Sequence, residues 1–187
     1  MIGFTIDGRY KVLKELGAGG MGKVYEAEHT ATGRRVGVKI LLNASLNARK
    51  DLRTRFEREA RTAATIDTKH ICEIIDSGVD PKTNYPYLVM ELMRGEDCMQ
   101  LIRRVGPVAP DVALRIVAQT CVGLKKAHQA GVVHRDIKPA NIFLAERDEG
   151  EVTVKLLDFG IAKLLMDDTS PEQMQLTQTG VVMGYPL

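Results

Sequence analysis

The densest chemistry in the sequence lies in His134-Arg135-Asp136-Ile137-Lys138-Pro139-Ala140-Asn141, between two apolar segments. A carboxylate, two cations and an amide fall within this one short stretch. Pro139 stops a helix from running through it, so it reads as a loop. Polar groups held in an apolar setting need partners or a function. Three other places share this character. Gly17-Ala18-Gly19-Gly20-Met21-Gly22-Lys23-Val24 carries glycines at G-x-G-x-x-G spacing, which lets backbone N–H groups approach phosphate oxygens. Lys39 sits in Val36-Gly37-Val38-Lys39-Ile40, and Asp158-Phe159-Gly160 directly follows an apolar run.

The elements around these residues decide what the glycines mean. Residues from Tyr10 to Leu16 suit a strand. A dinucleotide-binding loop would open a helix next. Here Lys23 to His29 is strand-compatible, Thr32-Gly33 is a turn, and Arg35 to Leu41 reads as another strand. The glycines therefore cap a hairpin. Alternation along a strand puts Val36, Val38 and Ile40 on one face and Gly37 and Lys39 on the other. Lys39 is placed either over a ligand's phosphates or in solvent at a strand end. From Asn47 to Ile66 the chain turns to helix formers, with Leu52, Phe56, Ala63 and Ile66 on one face. Glu59 shares that face and needs a partner there. Lys39 is the first expectation, and Arg55 or Arg58 on a rotated helix is the alternative.

Ile71–Ile75 and Tyr87–Met90 flank the turn Asp80-Pro81-Lys82-Thr83-Asn84, a further hairpin. A lobe boundary is expected at Met93-Arg94, giving a sheet-rich unit over 1–93 and a mainly helical one over 94–187. Glu96–Val105 reads as a short helix closed by Gly106-Pro107. A long helix starts at Pro110-Asp111, with Asp111 as its cap, and ends at Gly131. Its apolar residues cover more than half its circumference, which predicts a buried core helix holding Cys121, with His128 structural. Val152–Leu157 is a strand. Residues 166–180 are polar and aperiodic, a mobile-loop composition.

Composition narrows the class. The 187 residues are 44% hydrophobic and 27% charged, with a net charge of +2. That supports a real core and gives no argument for nucleic-acid or anionic-membrane binding. Three cysteines without a C-x-x-C pair point to reduced thiols and a cytoplasmic setting. No apolar run approaches the roughly 18 residues of a spanning helix.

Taken in order, the glycine loop, the lysine of V-G-V-K, the helical Glu59, H-R-D-I-K-P-A-N and D-F-G resemble the eukaryotic-type (Hanks-type) protein kinases, and look most like the bacterial serine/threonine branch. The resemblance covers almost the whole chain. It implies an α+β, bilobal kinase-like fold: an antiparallel sheet plus one helix, then an incomplete, mainly helical lobe. It implies ATP and Mg²⁺ as cofactors and protein Ser/Thr hydroxyls as substrates. Backbone amides from Gly17 to Gly22 would cover the phosphates, with Leu16, Ala18, Met21, Lys23, Val24, Gly37 and Phe143 also around the nucleotide. Lys39 would hold the α/β-phosphates, oriented by Glu59. Met90 would be the gatekeeper and Glu91 to Met93 the hinge. Asp136 would accept the substrate proton, and Lys138 would contact the transferring phosphate. Asn141 and Asp158 are hard oxygen ligands suited to Mg²⁺. Arg135, taken as buried, would await a phosphate on Thr177 or Thr179.

The family pattern has alanine at Gly37, and a threonine followed by a longer substrate segment where this chain reads Gly184-Tyr185-Pro186-Leu187. It is therefore expected to be truncated within the activation segment, with the long helix partly uncovered and little or no turnover by residues 1–187 alone. Two readings stand: a serine/threonine kinase, or a catalytically inactive nucleotide-binding or interaction module that keeps the motifs.

Overall fold

The computed structural model describes residues 1–19, 22–42, 50–147 and 150–158. The first half builds one six-stranded antiparallel sheet. Its strands are β1 (Thr5–Ile6), β2 (Tyr10–Gly19), β3 (Gly22–His29), β4 (Arg35–Leu41), β5 (Ile74–Val79) and β6 (Pro86–Glu91), in the order β1-β2-β3-β4-β6-β5. The glycine cluster joins β2 to β3 as the hairpin expected from the sequence, with Gly19 opposite Gly22. A side chain at position 22 has no room. Its Cβ would lie 2.0 Å from the Ile40 carbonyl oxygen, at φ +152°.

β4 is the central strand, and every residue from Val36 to Leu41 is buried. Val36, Val38 and Ile40 join Tyr25, Ala27, Tyr87 and Val89 in one apolar cluster, as the alternation predicts. The opposite face of the sheet carries Lys39. Gly37 pairs with Met90, and a Cβ on Gly37 would stand 3.0 Å from the Met90 Cγ. Glycine at 37 and methionine at 90 are thus complementary in size.

Helix α1 (Lys50–Ala64) follows β4. Phe56, Ala60 and Ala63 are its buried residues in a second cluster with Leu41, Ile71, Leu88, Ala127, Val132 and Leu156. That cluster joins the first sheet to the second half of the chain. The second half holds β7 (Gly95–Asp97), α2 (Cys98–Val105), α3 (Pro110–Gln129), a 3-10 turn (Pro139–Asn141), β8 (Ile142–Glu146) and β9 (Val152–Leu156), with β7-β8-β9 forming a small antiparallel sheet. Among the described residues, no helix is long and apolar enough to cross a membrane.

Three helix expectations are corrected. The segment Glu96-Asp97 is strand and cap rather than helix. The Asp97 carboxylate accepts from the Gln100 N–H while the Gln100 side chain accepts from the Asp97 N–H, a capping box that starts α2 at Cys98. Ala109, not Asp111, caps α3, because Pro110 takes the first helical position where its missing N–H costs nothing. The long helix is also not buried all round. Thr120, Gly123 and Ala127 face inward, whereas Leu114 is 70% exposed, Val117 56%, and Cys121 and His128 are exposed. Gly123 lets the helix come close, since a Cβ there would lie 2.7 Å from the His70 carbonyl oxygen. The exposed apolar stripe agrees with the expectation of a partly uncovered helix.

Candidate active site

The site is organised by four consecutive residues at the end of β9. Lys155 turns to the first sheet, and its ammonium lies 2.5 Å from the Glu91 carboxylate. Leu156 is fully buried in the shared core. Its backbone accepts from the Cys72 N–H and donates to His70 O, both at 2.9 Å. Leu157 donates its N–H to Asn141 O at 2.9 Å, and its carbonyl faces His134 Nε2 at 2.7 Å. Asp158 ends the series with an ion pair to Lys39, Oδ1 to Nζ 2.6 Å.

This arrangement brings the polar loop and the D-F-G aspartate together. His134 is buried to 1% exposure. Its Nε2–H donates to Leu157 O, so Nδ1 is left to accept the Asp136 N–H at 3.3 Å. Burial lowers the His134 pKa and favours this neutral ring. Asp136 is half-buried, and its Oδ2 receives Lys138 Nζ at 2.8 Å and Asn141 Nδ2 at 3.0 Å. Asn141 Nδ2 also reaches Asp136 O at 2.8 Å. Pro139 and Asn141 bound a single 3-10 turn, so the proline that stops a helix here also folds Asn141 back onto Asp136.

Backbone strain marks the same two places. Among the described residues, four that are not glycine have positive φ: Asp7, Asn84, Arg135 and Asp158. Asp and Asn tolerate this region in turns. Arginine does not favour it, so Arg135 at φ 62° is held there by the loop that surrounds it.

Several placements differ from the sequence expectation. Glu59 does not meet Lys39. It pairs with Arg58 at 3.3 Å, the local alternative, while Lys39 pairs with Asp158. Phe56, Ala60 and Ala63 centre the buried face of α1 and leave Glu59 at its edge, within reach of its own neighbour. Arg135 is exposed rather than buried; a cation stays in water where no buried carboxylate among the described residues meets it. Gly20, Met21, Phe159, Thr177, Thr179 and Tyr185, with the phosphate partner expected in the 166–180 loop, lie outside the described residues.

The other residues expected around the nucleotide lie on β2, β3, β4, β6 and β8 and in the segment after β6. Gly17, Ala18 and Gly19 pair with Val24, Lys23 and Gly22 across the hairpin, and Lys23 is engaged with Glu15 at 3.0 Å. Leu16 is 47% exposed. Met90, Glu91 and Met93 are half-buried, and the Glu91 N–H donates to Glu73 O at 3.0 Å. Phe143 pairs with Lys155 across β8 and β9. Sequence reasoning missed Lys155 and His70. Lys155 falls on the polar face of the V-T-V-K-L alternation, which reads as a solvent-facing lysine, yet it is 5% exposed in the structure. His70, buried with its Nδ1 3.0 Å from Val154 O, carried no signal.

The donor set fits ATP and Mg²⁺. Asn141 and Asp158 supply oxygen donors, which Mg²⁺ prefers, and backbone pairing through Leu157 and Asn141 holds them in one place. Gly22 admits only backbone next to β4, which suits a phosphate-covering hairpin.

This fold and this site define a protein kinase. The family model for the protein kinase domain matches residues 10–181, and the chain belongs to that family. It is 39% identical over 182 residues to the serine/threonine-protein kinase Pkn2 of Myxococcus xanthus, covering 97% of this chain and 21% of that protein. It is 39% identical over 186 residues to the serine/threonine-protein kinase PknA of Mycobacterium tuberculosis, covering 98% of this chain and 41% of that protein. The crystal structure of the Mycobacterium tuberculosis PknI kinase domain superposes with a TM-score of 0.72 at 32% identity, covering 86% of this chain and 63% of that one. The chain thus spans less than half the length of these two relatives.

Proposed function

We propose that this protein binds ATP with Mg²⁺ and transfers the γ-phosphate to a serine or threonine hydroxyl of a protein substrate, working in the cytoplasm. Its two lobes are residues 1–93 and 94–187, with the nucleotide between them. The observation that carries this reading is the convergence of Lys39, Asp136, Lys138, Asn141 and Asp158 through the 155–158 segment. Phosphoryl transfer needs charge neutralisation and in-line positioning more than covalent chemistry, and these residues supply both.

Binding at this site requires Lys39 to exchange the Asp158 carboxylate for α/β-phosphate oxygens. Asp158 and Asn141 would then hold Mg²⁺ through their side-chain oxygens. Mg²⁺, when bound, neutralises phosphate charge. Glu59 sits at the edge of α1, from where it can leave Arg58 and orient Lys39. The amides of residues 17–22 cover the phosphates, and Leu16, Val24, Gly37 and Phe143 enclose the base. With the Glu91 N–H committed to Glu73 O, the amide side of the hinge contact passes to Met93, beside the gatekeeper Met90. Asp136 accepts the substrate hydroxyl proton, and Lys138 spreads the charge on the transferring group. Arg135, exposed and in the left-handed region, would receive a phosphate carried by Thr177 or Thr179.

The test is phosphate transfer from ATP to a generic basic protein by the full-length protein and its Asp136→Asn variant. Transfer that disappears in the variant is expected. Equal transfer by both overturns the role given to Asp136. The second reading, a non-catalytic interaction module, is favoured only by the exposed apolar stripe on α3 (Leu114, Val117); nucleotide binding without transfer by the full-length protein would establish it.

A further inference from the structure

Two ion pairs tie the end of β9 to the first sheet, three residues apart. Lys39–Asp158 has an open side, with the Asp158 side chain 42% exposed. Lys155–Glu91 is enclosed, with side chains 6% and 21% exposed. Lys155 Nζ also lies 3.5 Å from Ile71 O, and Glu91 Oε1 accepts the Glu73 N–H at 2.8 Å. The Glu91 N–H in turn donates to Glu73 O. The last residue of β6 is thus fixed by its backbone, by its carboxylate and by a cation from the other sheet. A buried lysine is costly unless its charge is met. None of the chemistry proposed above uses this one.

We propose that Lys155 is a positioning residue that couples the adenine end of the nucleotide site to its metal end. This rests on the nucleotide-binding reading above. The Glu91 carboxylate belongs to the strand that leads into the hinge, and Lys155 belongs to the strand that ends in Asp158. When Lys39 leaves Asp158 for phosphate, the front connection between β9 and the first sheet is given up. The Lys155–Glu91 pair is not in contact with the nucleotide and persists, so the hinge and Asp158 keep their spacing. A ligand that spans both ends gains from that fixed spacing, because the protein need not be ordered as it binds. A ligand that touches only the adenine end gains nothing from it.

The experiment compares Mg-ADP and adenosine binding by calorimetry in the full-length protein, Lys155→Met and Lys155→Met/Glu91→Gln. The double variant removes both charges together, which preserves folding better than leaving one charge buried alone. Its glutamine can still accept from the Glu73 N–H. The expected result in the double variant is a loss of Mg-ADP affinity about tenfold larger than the loss of adenosine affinity, on the order of 1.4 kcal/mol. Unchanged Mg-ADP affinity overturns the coupling role. An equal loss for both ligands also overturns it, since that reports a local disturbance of the hinge. A wild-type protein that binds neither ligand instead overturns the nucleotide-site reading.

Discussion

Lys39 and Lys155 are both buried lysines paired with a carboxylate, and their two ion pairs lie at opposite ends of one four-residue segment, 155–158. Lys39 lies on β4, and its partner Asp158 is open to water. Lys155 is enclosed, and its partner Glu91 is held by a second hydrogen bond, from the Glu73 N–H. An ion pair with an exposed member is worth about 0–1 kcal/mol, so exchanging it for another anion is easy. A sealed pair resists exchange, because breaking it strands a charge in the interior. The same residue type therefore serves as a replaceable contact at the front and as a fixed one at the back. Exposure of the carboxylate, more than burial of the lysine, separates the two.

The sharpest way to break this contrast is to delete each cation. Lys155→Met should cost about 3–5 kcal/mol of unfolding free energy by leaving Glu91 uncompensated, read as a lower urea midpoint. Adding Glu91→Gln should recover most of that loss. Lys39→Met should change stability by no more than about 1 kcal/mol, yet reduce phosphate transfer by roughly 10²–10³-fold. Equal stability losses at the two sites would erase the distinction.

A smaller effect comes from His134, which links the same segment to the polar loop. Burial holds this ring below its ordinary pKa of 6.5, so the folded protein keeps it neutral. The unfolded chain takes up a proton near pH 6.5 that the folded chain does not. Stability is therefore complete above about pH 6.5 and falls as the pH drops through it, by up to about 1.4 kcal/mol per pH unit. The decline continues until the folded ring itself titrates. Urea midpoints between pH 8 and 5 should show this slope, and His134→Asn should flatten it. The smallest effect is expected on the outer face of α3, where Leu114→Ser should change stability by no more than about 0.5 kcal/mol.

The sheet was legible because its signals are local. Alternation fixed the β4 faces, and the strand-like residues after the glycines excluded a helix. The polar loop was legible because proline and four functional side chains crowd together. The partners were less legible. Glu59 was assigned to Lys39 from a helical stripe, but Ala60, small and polar-free, centres the stripe and rotates the glutamate to its edge. The apolar content of α3 predicts burial, yet its enclosed residues are Thr120, Gly123 and Ala127, and at Gly123 the close approach of the His70 carbonyl leaves no room for a side chain. Lys155 escaped notice because its counter-charge lies 64 positions away, and no local pattern reports such a pairing.

In the proposed function Lys39 and Asp158, partners in this structure, separate to hold one nucleotide and its metal. Calorimetric titration of Mg-ATP into the full-length protein and into Asp158→Asn puts that separation to the test. The expected result is Mg²⁺-dependent binding by the wild type and at least tenfold weaker binding by the variant, while Asp136→Asn binds as the wild type does. Binding by Asp158→Asn with wild-type affinity and wild-type Mg²⁺ dependence would contradict it.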